Sequence, residues 1–192
     1  MAFLKIDLSN HQSCQDCLAN NKMCATSERK LRILFVCIGN SCRSPMAEAV
    51  MKNLLPQSSS WEIDSAAIAD WNVGYPPESR CIKILQEHGI DISHTGRQIR
   101  KTDFYNFDFI FGMDPRNIED LQSLAPSDAT AKIDLLGHYD SERDNIILDP
   151  YFETGDHGFR RCFEQISRSC MGFLRIHGAT RQCHATHAID SG

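Results

Sequence analysis

Apolar and polar positions follow two different periods along the chain. Short apolar runs predict strands, and the segments between them repeat apolar residues at helical spacing. The predicted strands are residues 31–37, 61–65, 107–114 and 131–137. The predicted helices are residues 44–55, 77–88, 115–124 and 158–176. Repeated strand-then-helix units predict an α/β fold with a parallel sheet and helices on both faces.

Composition is that of an ordinary globular domain. The chain has 192 residues, of which 42% are hydrophobic and 23% charged, with a formal net charge of −5. This acidic balance argues against general nucleic-acid binding, which needs a basic face. No apolar run approaches the roughly 20 residues of a membrane span. The N-terminus lacks a secretory signal pattern, so we expect a cytoplasmic protein.

The two ends of the chain lack the strand-and-helix pattern. We expect a domain at residues 30–177, flanked by mobile extensions at residues 1–29 and 178–192. Nine cysteines cannot all pair within one chain, which favours reduced thiols. A zinc site could be built from the Cys and His residues of both ends, but their spacing matches no compact zinc motif. The residues concerned are Cys14, Cys17, Cys24, Cys183, His184 and His187.

The sequence CIGNSCRSP, residues 37–45, lies between the first strand and the first helix. Cys37 ends the strand, Ser44 is a suitable helix N-cap, and Pro45 suits the first helical turn. Ligands of parallel α/β sheets bind at the carboxyl ends of the strands. The loop therefore faces a helix N-terminus, where unpaired N–H groups favour an anion.

Residues within this loop fit an anion and a reactive thiol. Gly39 and Asn40 tolerate the unusual dihedral angles that turn backbone N–H groups inward. Arg43 offers a planar fork that matches two phosphate oxygens. The same positive field favours a thiolate, so we interpret Cys37 as an exposed nucleophile. The alternative is an inert, buried strand cysteine, and the glycine, cap and arginine around Cys37 argue against it.

Phosphoryl transfer to a thiolate also needs a proton donor for the leaving oxygen. Asp149 follows the fourth strand and is flanked by Pro150, Tyr151 and Phe152. An aspartate before proline is usually only a turn former. Aromatic neighbours beside a Cys-x5-Arg loop favour the other interpretation, in which they line a cleft for an aryl substrate.

Taken together, these motifs resemble the low-molecular-weight protein tyrosine phosphatases of eukaryotes. The resemblance runs from residue 31 to 176 and rests on VCIGNSCRSPMAEAV, DSAA, DWNVGYPP, HGIDISHTGRQI, FDFIFGMD and IILDPYF. It implies a single Rossmann-like domain with a four-stranded parallel sheet. It also implies hydrolysis of phosphotyrosine in proteins and of small aryl phosphates, as an acid phosphatase that uses no metal or cofactor.

The resemblance implies a role for each matching residue. Cys37 would be the nucleophile that forms a phosphocysteine, Arg43 the phosphate clamp and Asp149 the general acid. The phosphate-binding loop would comprise Ile38, Gly39, Asn40, Ser41, Cys42 and Ser44. Ser65 and His94 would support that loop, with Asn40. Trp71, Asn72, Tyr151 and Phe152 would line the substrate cleft. Because Cys42 shares the loop with Cys37, we also expect it to be a redox partner that forms a reversible disulfide.

Two other functions compete with this hypothesis. The chain also resembles arsenate reductases, which share this fold and loop. Those enzymes need further cysteines for a disulfide relay, and this chain has none between Cys81 and Cys162. A catalytically silent phosphotyrosine-binding module would be expected if the nucleophile, the clamp or the acid were replaced. All three are present.

Overall fold

A computed structural model describes residues 30–178 of the chain. The extensions predicted at residues 1–29 and 178–192 lie outside these residues, except for Gly178, and so does the zinc site weighed for them. The described part contains one four-stranded sheet, in which every strand pair is parallel. The predicted α/β fold class is therefore confirmed.

The strands lie in the order β2-β1-β3-β4. Their bounds are Arg32–Cys37 for β1, Glu62–Ala67 for β2, Phe109–Gly112 for β3 and Lys132–Leu135 for β4. The α-helices within residues 30–178 are α1 (Arg43–Leu54), α2 (Ser79–Glu87), α3 (Asp103–Asn106), α4 (Pro115–Leu124) and α5 (His157–His177). A 3-10 helix follows β4 at Leu136–Tyr139.

Buried apolar clusters cover both faces of the sheet. In the central strand β1, Ile33 and Phe35 belong to one cluster, and Leu34 and Val36 belong to the other. Successive strand residues point to opposite faces, so a strand that is covered on both sides must be apolar throughout. This explains the uninterrupted apolar run at residues 33–37, whose side chains are all buried.

Several element boundaries differ from those predicted. Strand β2 continues through Ala67, because residues 62–67 pair in register with β1 along its full length. Helix α2 begins at Ser79, where the Glu78 carboxylate caps it. Helix α3 and the 3-10 helix had not been predicted. Each has only four residues, which is too short for a periodic pattern to show.

The strand order positions the functional site. After β1 the chain forms β2 on one side and then returns to form β3 on the other side. The two loops that follow β1 and β3 therefore diverge, and they leave a crevice at the carboxyl ends of these strands. The loop at residues 38–42 and the β3–α4 connection at residues 113–114 lie there. Among the described helices, none is long and apolar enough to cross a membrane.

Packing of α5 against the 3-10 helix generates a prediction about Gly172. A methyl group added at Gly172 would overlap the Tyr139 carbonyl oxygen. Alanine usually stabilises a helix interior relative to glycine by roughly 0.5–1 kcal/mol. We expect Gly172→Ala to have the opposite effect and to lower the free energy of unfolding by about 1–3 kcal/mol, because the Tyr139 backbone cannot move aside without a cost in stability. Urea unfolding measures this free energy.

The matched control is Gly158→Ala on the same helix. An added methyl group there would meet only the end of the Glu153 side chain, which is flexible and can rotate away. We expect its stability to equal that of the wild type or to exceed it slightly. A stabilised Gly172→Ala variant would show that α5 does not pack against Tyr139 in this way.

Candidate active site

The loop between β1 and α1 takes its shape from Asn40 and Gly39. Asn40 has a φ of 51°, in the left-handed region that asparagine tolerates better than most residues. Gly39 has no such positive φ, contrary to the expectation from sequence. Its role is steric, because a Cβ atom there would lie 2.8 Å from Asn72 Nδ2 and 2.9 Å from Trp71 Nε1. The Asn72 amide donates to the Gly39 carbonyl at 3.1 Å.

Cys37 and Ser44 form the floor of the loop. Cys37 Sγ lies 3.0 Å from Ser44 Oγ, close enough for the hydroxyl to donate to a thiolate. The predicted N-cap role of Ser44 is wrong. Helix α1 begins at Arg43 with no side-chain cap, and the Ser44 hydroxyl points into the loop instead. Cys37 was also expected to be exposed, but its exposed fraction is only 3%. The thiol is reachable only from the cleft.

A buried polar network holds the loop from behind. The Asn40 amide nitrogen donates to Ser44 Oγ at 3.0 Å and to Ser65 Oγ at 2.9 Å. His94 Nε2 lies 2.9 Å from Asn40 Oδ1, and His94 Nδ1 lies 3.0 Å from Glu48 Oε2. Both ring nitrogens thus face acceptor oxygens. Asn40, Ser65 and His94 therefore lie together as the sequence analysis expected.

Glu48 completes this network and had not been predicted. It is 4% exposed and accepts hydrogen bonds from Ser65 Oγ at 2.6 Å and from Lys52 Nζ at 2.5 Å. Burial opposes its charge, but the hydrogen bonds from His94, Lys52 and Ser65 outweigh burial and lower its pKa to about 2. From the sequence, Glu48 is an ordinary helix glutamate. The only local indication of a partner is Lys52, which lies four residues later on the same face of α1.

Arg43 is a buried cation that reaches three parts of the crevice. One terminal nitrogen donates to Asp114 and to the Ile147 carbonyl, and the other donates to Asp149 Oδ2 at 2.8 Å. Burial opposes its charge, but Cys37, Asp149 and Asp114 outweigh burial and raise the pKa of Arg43. Within the described residues, its Nε atom is buried and lacks a hydrogen-bond partner. That orphan donor suits an anion.

Asp149 sits at the side of the crevice, on the segment that follows β4 and the 3-10 helix. Its Oδ1 atom accepts a hydrogen bond from the Tyr151 N–H at 3.1 Å, while Oδ2 faces Arg43. The aromatic rings of Tyr151 and Phe152 pack edge to face at 5.2 Å, and Trp71 is 65% exposed. Exposed rings of this size at a cleft mouth favour a planar ligand.

Together these groups enclose a cleft of about 280 Å³. Its lining residues are Cys37, Ile38, Gly39, Ser41, Cys42, Arg43, Trp71, Asn72, Asp149, Tyr151 and Phe152. Ser44, Asn40, Ser65 and His94 lie behind this lining rather than in it. Asp114, which had not been predicted, also stands behind it as a partner of Arg43. From the sequence alone, Asp114 would be assigned only as the N-cap of α4. The structure shows that Asp114 has this role as well.

Cys42, the expected redox partner of Cys37, is buried as well. Its exposed fraction is 4%, and burial raises its pKa to about 12. At neutral pH it is therefore an uncharged thiol. All five cysteines among residues 30–178 are free thiols.

A thiol on the floor of an anion-binding loop, beside an arginine and a carboxylate, fits a cysteine-dependent phosphatase. Comparison with known proteins agrees with this class. Residues 32–183 match the model of the family described as low molecular weight phosphotyrosine protein phosphatase. The chain therefore belongs to that family, and the resemblance inferred from the sequence is confirmed.

Relatives match along nearly their whole length. The phosphatase of this family from Sus scrofa is 46% identical over 147 residues, which cover 74% of this chain and 92% of the relative. Phosphatase 1 of this family from Drosophila melanogaster is 44% identical, with 75% and 95% covered. A solved structure described as DARP, drosophila arginine phosphatase, is 46% identical with a TM-score of 0.72, and 78% of this chain and 99% of that chain are covered.

Acid should remove the contribution of Glu48 to stability. Its pKa is about 2 in the folded chain against an ordinary 4.5, so its contribution is present above the ordinary value and is lost as pH falls towards 2. The difference corresponds to about 3 kcal/mol. We expect Glu48→Gln to lower the free energy of unfolding strongly near neutral pH and much less near about pH 3. Urea unfolding at both pH values measures this.

Glu62→Gln is the matched control, because the Glu62 carboxylate pairs with Lys30 at the surface and is 56% exposed. Exposed pairs contribute about 0–1 kcal/mol, so this variant should stay close to the wild type at both pH values. An equal destabilisation of Glu48→Gln at the two pH values would contradict the lowered pKa of Glu48.

Proposed function

We propose that this phosphatase hydrolyses phosphotyrosine in proteins, and small aryl phosphates, with Cys37 as the nucleophile. The observation that carries the proposal is the surroundings of the Cys37 sulfur. It lies on the floor of the loop, 3.0 Å from the Ser44 hydroxyl, and lines the same cleft as Arg43 and Asp149. A hydroxyl donor and a nearby cation are the partners that a nucleophilic sulfur requires.

In the first step the thiolate attacks phosphorus and the bond from phosphorus to the tyrosine oxygen breaks. Arg43 and the loop N–H groups stabilise the charge on the phosphoryl oxygens. Asp149 donates its proton to the leaving oxygen, which would otherwise depart as a phenolate whose conjugate acid has a pKa of about 10. The products are tyrosine and a phosphocysteine at Cys37.

In the second step water attacks the phosphocysteine. Asp149, now a carboxylate, accepts a proton from the water, the sulfur–phosphorus bond breaks, and phosphate leaves. The Ser44 hydroxyl donates to the departing sulfur, which makes the thiolate a better leaving group. The proton that Asp149 lost in the first step is thereby restored, and the enzyme returns to its starting state.

The resting arrangement supports this division of roles. Before substrate binds, Asp149 Oδ2 and Arg43 are paired at 2.8 Å. A bound phosphate competes for Arg43, which releases Asp149 Oδ2 from this pair. Asp114 and the Ile147 carbonyl keep Arg43 oriented while its partner changes.

Replacement of Cys37 tests the proposal. Cys37→Ser should lose turnover of a phosphotyrosine peptide by at least about 10⁴-fold, because an alcohol is not ionised near neutral pH. Phosphate release in the presence of a metal chelator measures it. The control is Cys170→Ser, a buried cysteine of α5 outside the cleft. Turnover retained by Cys37→Ser, or wild-type turnover that requires added metal, would contradict the proposal.

A second candidate substrate is phosphoarginine. It is favoured by the 46% identity to the solved structure described as an arginine phosphatase. The cleft also offers what a guanidinium group needs, namely the aromatic rings of Trp71 and Tyr151 and the carboxylate of Asp149. We nevertheless favour phosphotyrosine, because a neutral ring fills an apolar cleft without the cost of removing water from a cation.

Two peptides of identical sequence, one with phosphotyrosine and one with phosphoarginine, distinguish the candidates. We expect kcat/KM to be at least about 10-fold higher for the phosphotyrosine peptide, since specificity is the ratio of these constants. The opposite ratio would assign phosphoarginine as the preferred substrate while leaving the role of Cys37 intact.

We also propose a cytoplasmic location and a redox role for Cys42. The free thiols of the described cysteines support a reducing compartment. Cys42 is in the same loop as Cys37 and could form a disulfide with a sulfenic acid at Cys37, with loss of water, after oxidation by peroxide.

A further inference from the structure

The first turn of α2 lies between the two loops that carry the reactive groups. Glu78, its N-cap, donates its N–H to the Ser41 carbonyl at 2.9 Å. The Cys81 thiol donates to the Cys42 carbonyl at 3.4 Å. One side of this turn is therefore attached to the phosphate-binding loop, through two separate carbonyl groups of that loop.

The other side of the same turn is attached to residues 149–155, which we call the acid loop. The Arg80 guanidinium donates to the carbonyl oxygens of Tyr151 at 3.0 Å and of Glu153 at 2.8 Å, and more weakly to that of Gly155 at 3.4 Å. Three carbonyls of one irregular loop thus face a single planar cation. Without it they would have to be satisfied by water.

The Arg80 side chain is held in this position. Its Nε atom donates to Glu78 Oε1 at 3.0 Å, while Glu78 Oε2 caps the helix through the Arg80 N–H at 2.8 Å. The guanidinium carbon lies 4.5 Å from the centre of the Phe159 ring and 6.0 Å from that of Tyr151. Only 25% of the Arg80 side chain and 19% of the Glu78 side chain are exposed. A charged group fixed on several sides loses little further entropy when it holds a loop.

The contact with Tyr151 leads directly to the carboxylate of Asp149. Arg80 holds the Tyr151 carbonyl oxygen, and the Tyr151 N–H donates to Asp149 Oδ1 at 3.1 Å. A single residue therefore separates Arg80 from the proposed proton donor. A misplacement of about 1 Å at a reacting group can lower a rate about 100-fold.

We propose that Arg80 is a positioning residue, which sets the proton donor Asp149 relative to the phosphate-binding loop. The inference rests on the proposed function, because it assigns Asp149 the role of general acid. Arg80 touches neither substrate nor reacting atoms. It acts through the acid loop, and α2 serves as the rigid element that joins this loop to the one that carries Cys37.

Variants of Arg80 and two substrates test this. Loss of general acid catalysis matters most when the leaving oxygen is basic. We expect Arg80→Ala to lower kcat/KM for phosphotyrosine about 10- to 100-fold, and kcat/KM for p-nitrophenyl phosphate, whose phenol is more acidic, by less than about threefold. This constant covers the steps up to departure of the leaving oxygen and excludes hydrolysis of the phosphocysteine, which is the same for both substrates. Arg80→Lys keeps the charge but not the fork, so it should show an intermediate loss with the same substrate dependence.

Arg160→Ala is the matched control. Arg160 is also an arginine that links α2 to α5, through Glu87 at 2.6 Å, but its side chain is 46% exposed, and within residues 30–178 its ion pair is with Glu87 rather than with the acid loop. We expect Arg160→Ala to change neither kcat/KM value by more than about twofold, as for other exposed ion pairs. Thermal unfolding of all variants shows whether they fold. If Arg80→Ala does not fold, the comparison of the two substrates is made with Arg80→Lys.

A double-mutant cycle separates positioning from a general structural effect. If Arg80 acts through Asp149, Arg80→Ala should lower kcat/KM for phosphotyrosine by less than about threefold in a protein that already carries Asp149→Asn. Equal losses on both substrates in folded Arg80 variants, or additive losses in the double variant, would overturn the inference while the proposed function stands. Wild-type protein inactive on both substrates would overturn both.

Discussion

The left-handed conformation of Asn40 is the constraint on which the active site depends. A φ of 51° is unfavourable for a residue with a side chain, and it persists because the Asn40 amide is bound on every side. Its nitrogen donates to Ser44 and Ser65, and its oxygen faces His94 and the Arg97 N–H. The network thus fixes one strained residue, and the loop that turns at this residue lines the cleft together with the Cys37 sulfur.

Burial of Arg43 adds an electrostatic constraint. A guanidinium group with 3% of its side chain exposed would be costly without partners, and the loops that follow β3 and β4 each supply a carboxylate. The Asp114 partner is dedicated to Arg43 and to the cap of α4. The Asp149 partner has a second role in the proposed chemistry. The same pairing that stabilises the free protein therefore places the proposed proton donor beside the arginine that we propose binds the phosphate.

Periodic patterns and local motifs were sufficient to predict much of this molecule. The parallel sheet follows from repeated strand-then-helix units. The spacing of the residues from Cys37 to Ser44 is sufficient to indicate an anion-binding loop with a cysteine nucleophile. Residues whose roles arise only from tertiary contacts could not be predicted. Glu48, Asp114 and Arg80 each read locally as an ordinary helix or cap residue, and no short-range pattern shows what they touch. Ser44 was assigned as a cap for the same reason, since its hydroxyl has a better partner across the loop.

Chain connectivity explains why side chains must position the proposed proton donor, Asp149. Residues 140–156 connect the 3-10 helix to α5 with no regular structure, so their carbonyl groups lack the partners that strands and helices provide. Donors from elsewhere replace them: Gln165 binds the carbonyls of Asp144 and Ile146, and Arg43 binds that of Ile147. Arg80 continues this series through Tyr151, Glu153 and Gly155. An irregular segment held by long side chains of rigid helices keeps a fixed shape, and this allows Asp149, which is far from Cys37 in sequence, to line the same cleft as the Cys37 sulfur.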